Sequence, residues 1–210
     1  VKLLVATTNA NKLREIRPLL AALPIELMTL ADVPSLPEPA ETGATFWENA
    51  RIKALAYAAT SGLVVVAEDS GLEIDALDGE PGVHSARFLG ADTPYEVRFK
   101  EIYRRLAGRE TPARARFVTA LAVASRTRLL FESEAFVDGE IAPHSAGEHG
   151  FGYDPIFFYP PLGKTTAELT LNEKSLVSHR ARAFRNLARW LSAFARLQPT
   201  SYGATSPPFR

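Results

Sequence analysis

Two adjacent carboxylates, Glu68 and Asp69, close an apolar run in the stretch Gly62 to Gly71. Leu63 to Val66 read as a short buried strand, and Ser70 with Gly71 as the turn after it. An ionised carboxylate buried without a partner costs several kcal/mol or neutralises. Two at the mouth of an apolar strand therefore need a divalent cation or a nearby Lys or Arg. Glu41, ahead of Thr42 and Gly43, is by itself a surface acid; with Glu68 and Asp69 it would complete a three-carboxylate set. Three acids in a chain with no cysteine and four histidines favour a hard cation, Mg²⁺ or Mn²⁺, over zinc. Lys53 could pair with those acids, touch phosphate, or be a solvated helix residue.

Thr7-Thr8-Asn9-Ala10-Asn11-Lys12 joins an apolar strand to a helix. Such a junction leaves backbone N–H groups free for an anion, and the polar side chains add donors suited to phosphate. Asn9 or Asn11 could equally cap the helix, and Asn11 tolerates a left-handed backbone. Phe151-Gly152-Tyr153-Asp154-Pro155 combines two aromatics that can stack on a flat ring, a glycine that permits close approach, and an acceptor. It also reads as a packed glycine turn. Lys174 and His179 on one helix would stand about 140° apart and share no face. If the helix starts at Ser178 as N-cap, Lys174 lies on the approach and both can point into one cleft. Arg180 and Lys174 could also belong to a solvated basic face with Arg182, Arg185 and Arg189. Arg87 is an anion ligand or an ion-pair partner. His84, His144 and His149 show no metal-ligand spacing.

The elements that must position these groups follow from periodicity. Val1–Ala6 reads as a strand. Leu13, Ile16, Leu19, Leu20 and Leu23 place a helix after it, with Pro18 inside. Ile25–Leu30 is a second strand, and the proline-rich segment 31–41 a surface loop. Thr45–Ser61 is an alanine-rich helix with Thr45 and Glu48 as a capping box, stopped by Gly62. Leu63–Ala67 is the third strand, and Leu72–Leu77 a strand or extended arm. Tyr95–Ala107 is a helix. Arg114–Ser125 and Leu129–Val137 form a hairpin, Gly139–Tyr153 a loop, Pro155–Phe158 a short strand, and Leu176–Leu197 the last helix. The tail from Gln198 reads as mobile. Strand and helix alternation followed by a hairpin argues for a mixed α/β fold in one domain, residues 1–197.

The 210 residues have zero formal net charge, which gives no bulk grip on nucleic acid or an anionic membrane. No cysteine is present, so disulfides and thiolate chemistry are excluded, in keeping with a reducing cytoplasm. No apolar run approaches the roughly 18 residues of a membrane span.

Taken together these segments resemble the Ham1/RdgB family of inosine triphosphate pyrophosphatases. The resemblance runs from about Val1 to Leu197. It rests on Ala6 to Lys12, Glu41 to Gly43 with Glu48 to Ala50 and Lys53, Ala67 to Leu72, Pro81-Gly82 with Ser85 to Arg87, Gly150 to Pro155, and Glu173 to Ser175 with Ser178 to Arg180. It implies an elongated α/β fold of two lobes around a nucleotide cleft. It also implies homodimers and Mg²⁺-dependent hydrolysis of ITP, dITP and XTP to monophosphate and pyrophosphate. By position, Thr7, Thr8, Asn9, Ala10, Asn11 and Lys12 would hold the triphosphate with Lys53 close by. Glu41 and Asp69 would sit at the metal, Asp69 would activate water, and Ser70 would touch substrate. Phe151, Gly152, Tyr153 and Asp154 would hold the base, with Lys174, His179 and Arg180 completing the pocket. The family often has glycine at Asn11 and aspartate at Glu68; the longer Glu68 reaches the metal either directly or through water.

Rejection of ATP requires a donor aimed at the 6-oxo group of hypoxanthine or xanthine, because an amine there meets an unsatisfied donor. His179, Arg180 or a nearby backbone amide is the candidate. Two other readings use the same residues: a Maf-like pyrophosphatase acting on pyrimidine or modified nucleotides, and a nucleotide-binding module without turnover.

Overall fold

The computed structural model describes residues 2–197, so Val1 and the tail from Gln198 lie outside the described residues. Seven strands form one mixed sheet in the order β2-β1-β3-β4-β5-β6-β7. β1 (Lys2–Val5) runs parallel to both β2 (Glu26–Thr29) and β3 (Val64–Ile74). β4 (Arg114–Ser125), β5 (Arg128–Ile141), β6 (Phe157–Tyr159) and β7 (Lys164–Thr165) continue it antiparallel. The helices are α1 (Ala10–Leu20), α2 (Phe46–Ser61), α3 (Tyr95–Leu106), α4 (Leu171–Val177) and α5 (His179–Leu197).

Side chains of a strand alternate between faces, and β3 shows what that does here. Val65 and Ala67 pack with Ala50, Ala54 and Ala58 of α2. Val66 packs on the other face with Ile16 of α1 and Phe184 and Leu187 of α5. The small alanines of α2 let it lie close on the sheet. Half of the predicted capping box forms: Thr45 Oγ1 accepts from Glu48 N at 3.2 Å, while the Glu48 carboxylate accepts from Ala44 N at 2.6 Å instead of from Thr45 N. Gly62, left-handed at φ 70°, ends it. Beyond the middle of β3, Leu72 and Ile74 join Phe117, Val137 and Phe157 with Phe99 and Ile102 of α3 in a separate apolar cluster. These apolar clusters lie towards opposite ends of the long strands, and Glu68, Asp69 and Ser70 stand between them.

Several elements depart from their sequence-based bounds. Ser70 and Gly71 do not turn the chain: β3 continues to Ile74, paired with β4 down to Ala115. Gly71 is required for contact rather than for a turn. A Cβ there would lie 2.4 Å from Ser85 Oγ and 2.6 Å from Gly82 O. β5 extends to Ile141 and absorbs Gly139, where a Cβ would meet Phe158 O at 2.5 Å. Asp154–Ile156 is a 3-10 turn, so Pro155 precedes β6 instead of starting it. The last helix is broken in two at Ser178, whose backbone is extended at ψ 152°. Its Oγ accepts from Ala181 N at 3.2 Å and so caps α5. Lys174 therefore rides on a separate short helix rather than on a loop. None of the described helices is long and apolar enough to cross a membrane.

Candidate active site

A cleft of about 240 Å³ crosses the middle of β3. Thr7, Thr8, Asn9, Lys12, Glu41, Lys53, Glu68, Asp69, Ser70, Phe151, Gly152, Tyr153, Asp154, Lys174, His179 and Arg180 all line it. Ala10 and Asn11 do not. Both belong to the first turn of α1, so Asn11 is helical and makes no use of a left-handed backbone. Asn9 is the cap, its Oδ1 accepting from Asn11 N at 3.0 Å and Lys12 N at 3.1 Å. An anion at this turn meets the side chains of Thr7, Thr8 and Lys12, because those two amides are already engaged.

The adjacent acids point to opposite faces of the sheet, which corrects the three-carboxylate set. Asp69 faces α2. Its Oδ2 accepts from Asn49 Nδ2 at 3.0 Å, and its Oδ1 lies 3.4 Å from Lys53 Nζ. Lys53 also reaches Glu41 Oε1 at 2.9 Å, and Arg87 approaches the other oxygen of Glu41 at 3.8 Å. Burial pushes the Asp69 carboxyl above its ordinary value, and the nearby Glu41 charge adds to this against the pull of Lys53. Burial alone would push the Lys53 ammonium down, but Asp69 and Glu41 outweigh it and hold the ammonium charged. The two shifts differ in what they say of the pair. Lys53 has two carboxylates to one cation, whereas Asp69 must share that cation with Glu41.

Glu68 faces α1 and α5. Its Oε1 accepts from Arg180 Nε at 2.7 Å and lies 3.8 Å from Lys12 Nζ. Arg180 is fixed further by Glu15 Oε2 at 2.6 Å and Ser70 Oγ at 2.9 Å. Burial opposes the Glu68 charge, yet Arg180 and Lys12 win and its pKa is lowered. Lys12 is itself pushed down by burial, aided by Arg180 and Lys53. Among the described residues no group of three or more acids or histidines converges as a metal cluster. Glu41 and Asp69 still converge on one position, filled by the Lys53 ammonium. Glu68 Oε2 is buried without a hydrogen-bond partner.

At the other end of the cleft, Asp154 Oδ2 accepts from Lys174 Nζ at 2.5 Å and from Phe151 N at 2.7 Å. This holds the Phe151 ring beside two cations, 5.1 Å from Lys174 Nζ and 5.5 Å from the Arg180 guanidinium. Gly152 is left-handed at φ 67° and faces Tyr95 across van der Waals space. Tyr153 turns into the lobe, its hydroxyl donating to Ser85 O at 3.0 Å.

His179 stacks on Phe117 at 4.8 Å between ring centres. Burial first, then the charges of Arg180 and Lys174, push its pKa well below the ordinary 6.5. The folded protein therefore holds a neutral imidazole where the unfolded chain takes up a proton. Stability is unaffected by this group above pH 6.5 and falls as the pH drops below it. Urea unfolding between pH 7 and pH 5 should show a loss approaching about 1.4 kcal/mol per pH unit from this one proton. His179→Phe, which keeps the stacked ring, should remove that part of the slope; an unchanged slope would mean that His179 is protonated in the folded state.

Besides lining residues such as Tyr57, Val83 and Phe117, two residues of the site's charge network were not assigned from sequence. Asn49 is fully buried and bridges Asp69 to Gly43 N, which donates to its Oδ1 at 2.8 Å. Glu15 is buried on α1 and bridges Arg180 to Lys174, whose Nζ lies 2.7 Å from its Oε1. Glu15 follows Lys12 by one helical turn, on the side of Ile16 rather than of the exposed Arg14. An acid on the buried stripe of a helix is the signal that could have found it.

The Ham1 family model matches residues 3–190. A dITP/XTP pyrophosphatase of an Exiguobacterium species is 46% identical over 187 residues, 89% of this chain and 95% of the relative. One from Thermus thermophilus is 47% identical over 189 residues, 89% of this chain and 90% of the relative. Among solved structures, a HAM1 protein from Coxiella burnetii superposes with a TM-score of 0.85 at 36% identity, covering 92% of this chain and 99% of the other. Sequence, fold and cleft therefore agree that the chain belongs to the Ham1 family.

Proposed function

We propose that this chain hydrolyses dITP, ITP and XTP to the nucleoside monophosphate and pyrophosphate. The observation that carries the reading is the position of Asp69, beside Lys53 and Glu41, between the Thr7 to Lys12 turn and the Phe151 ring. A nucleoside triphosphate laid along the cleft puts its phosphates at the lysines, its base at Phe151 and its α-phosphorus near Asp69. The relatives named dITP/XTP pyrophosphatases support the substrate class.

In this reading Asp69 takes the proton of the attacking water, and burial beside Glu41, which raises its pKa, makes it a stronger base for that task. The α-phosphorus to bridging-oxygen bond breaks, and Lys12 and Lys53 stabilise the negative charge on the departing pyrophosphate. Glu41 and Asp69 would hold Mg²⁺ or Mn²⁺, since Mg²⁺ needs only one or two carboxylates when substrate phosphates supply the remaining oxygens. Bound there, the cation supplies charge withdrawal from the phosphate oxygens. Glu68, tied to Arg180 on the opposite face, instead holds the pocket wall. The donor to the 6-oxo group is assigned to His179: a neutral imidazole carries one N–H, while Arg180 is committed to Glu68, Glu15 and Ser70. The working assembly is a homodimer, the state that the family resemblance implies.

Pyrophosphate release from ITP, dITP, XTP, GTP, ATP, dUTP and UTP, with and without Mg²⁺, tests the proposal. Preference for the 6-oxo purines without a 2-amino group supports it. Preference for a pyrimidine would replace it with a Maf-like activity, and binding without pyrophosphate release would leave a nucleotide-binding module.

A further inference from the structure

Arg98, on α3, is 2% exposed and the largest of the fully buried side chains. Among the described residues no carboxylate lies within ion-pair distance of it. Its guanidinium donates to four backbone carbonyls: Nη1 to Ser85 O and Ala86 O, both at 3.0 Å, and Nη2 to Gly90 O at 3.0 Å and Ala91 O at 3.2 Å. The ring of Tyr95, one turn earlier on α3, lies against it at 4.6 Å. Burying a cation without a counter-ion is expensive, so a chain that does it must gain order elsewhere.

What Arg98 orders is one wall of the cleft. The 3-10 turn Gly82–Arg87 brings Val83, Ser85 and Ala86 to the lining. The Ser85 carbonyl receives both Arg98 and the hydroxyl of Tyr153. Tyr95, stacked on Arg98, meets the Tyr153 ring edge-on at 5.2 Å. The guanidinium thus ties the 3-10 turn to the Phe151-Gly152-Tyr153 segment without lining the cleft itself. The residues at the phosphate end hang on β1, α1, α2 and β3 and have no hydrogen bond to Arg98.

We propose that Arg98 is a positioning residue for the base end of the cleft, fixing the gap between the Gly82–Arg87 turn and the Phe151 segment into which the nucleobase fits. This rests on the pyrophosphatase reading above for what enters the gap. A lysine keeps the charge but cannot reach four carbonyls that spread over seven residues.

The test is Arg98→Lys, read as KM and kcat for dITP, the inhibition constant of inorganic tripolyphosphate, and the thermal midpoint. Expected are a KM raised about tenfold, kcat within about twofold, and a tripolyphosphate constant within about twofold. A merely structural role would move the nucleotide and tripolyphosphate constants together, and that result, or an unchanged KM in a folded variant, overturns the proposal. Hydrogen exchange on the wild-type protein gives a second reading that needs no variant. Without nucleotide, the hydrogen-bonded amides of residues 84–87 and of Gly90 should be protected well above an open loop, and exchange at the rate of an open loop overturns the proposal. If wild-type protein releases no pyrophosphate from dITP, the functional reading fails instead, and the exchange result still decides whether Arg98 holds the wall.

Discussion

Asp69→Asn should lower pyrophosphate release from ITP about a thousandfold while leaving nucleotide affinity within a few-fold. The substitution is nearly isosteric. Asn can turn its own oxygen to Asn49 Nδ2 and keep the hydrogen bond that Asp69 takes from that neutral amide. What it loses is the proton acceptor and half of the carboxylate charge that surrounds Lys53. Loss of the acceptor acts on the chemical step. Loss of the charge acts weakly on binding, because Lys53 keeps Glu41 at 2.9 Å and the amide oxygen of Asn still offers the cation a ligand beside Glu41. Single-turnover pyrophosphate release and equilibrium binding of ITP, both with Mg²⁺, separate the two. A rate near that of the wild type would remove Asp69 from the chemistry. Equal loss of rate and affinity would make it a binding residue.

The sequence carried the fold well where local chemistry decides the element. Thr45 as N-cap and Gly62 as stop bound α2, and the apolar runs mark β1, β3 and the β4–β5 hairpin. It misled where an element is fixed from far away. Ser70-Gly71 looks like a turn because Ser and Gly often make one. Here the strand is held extended by β4, and the glycine serves the approach of Ser85. The pair Glu68-Asp69 was correctly read as costly and in need of cations. The strand sends the two neighbours to opposite faces, so each meets its own cation while both line the cleft. The lysine and arginine that resolve the two charges come from different helices, Lys53 on α2 and Arg180 on α5. Arg180 is 112 residues from Glu68 in sequence, a distance at which spacing says nothing. Asn49 was visible among the residues that carried the family resemblance, but its role depends on a contact with Asp69 that no local pattern encodes.

Glu15→Gln is expected to have the largest effect on stability of any single change at the site, about 3 kcal/mol. Glu15 holds two buried cations at once, Arg180 at 2.6 Å and Lys174 at 2.7 Å, and is itself only 8% exposed. Burial works against its charge, and the two cations overcome that and lower its pKa. Glutamine fills the same volume but removes the charge, leaving Arg180 with Glu68 alone and Lys174 with Asp154 alone. Breaking a buried pair costs more than the pair contributes over an apolar replacement. A triple variant, Glu15→Leu with Lys174→Met and Asp154→Asn, leaves no buried charge unpaired and should therefore recover much of the stability lost by Glu15→Gln. It should not recover nucleotide affinity, since Lys174 and Arg180 flank the Phe151 ring in the cleft. Urea unfolding with ITP binding on both variants distinguishes the two roles. If the triple variant bound ITP like the wild type, the network would be structural packing behind the cleft. If it stayed as unstable as Glu15→Gln, the cost would lie in the shape of the site and not in the unpaired charge.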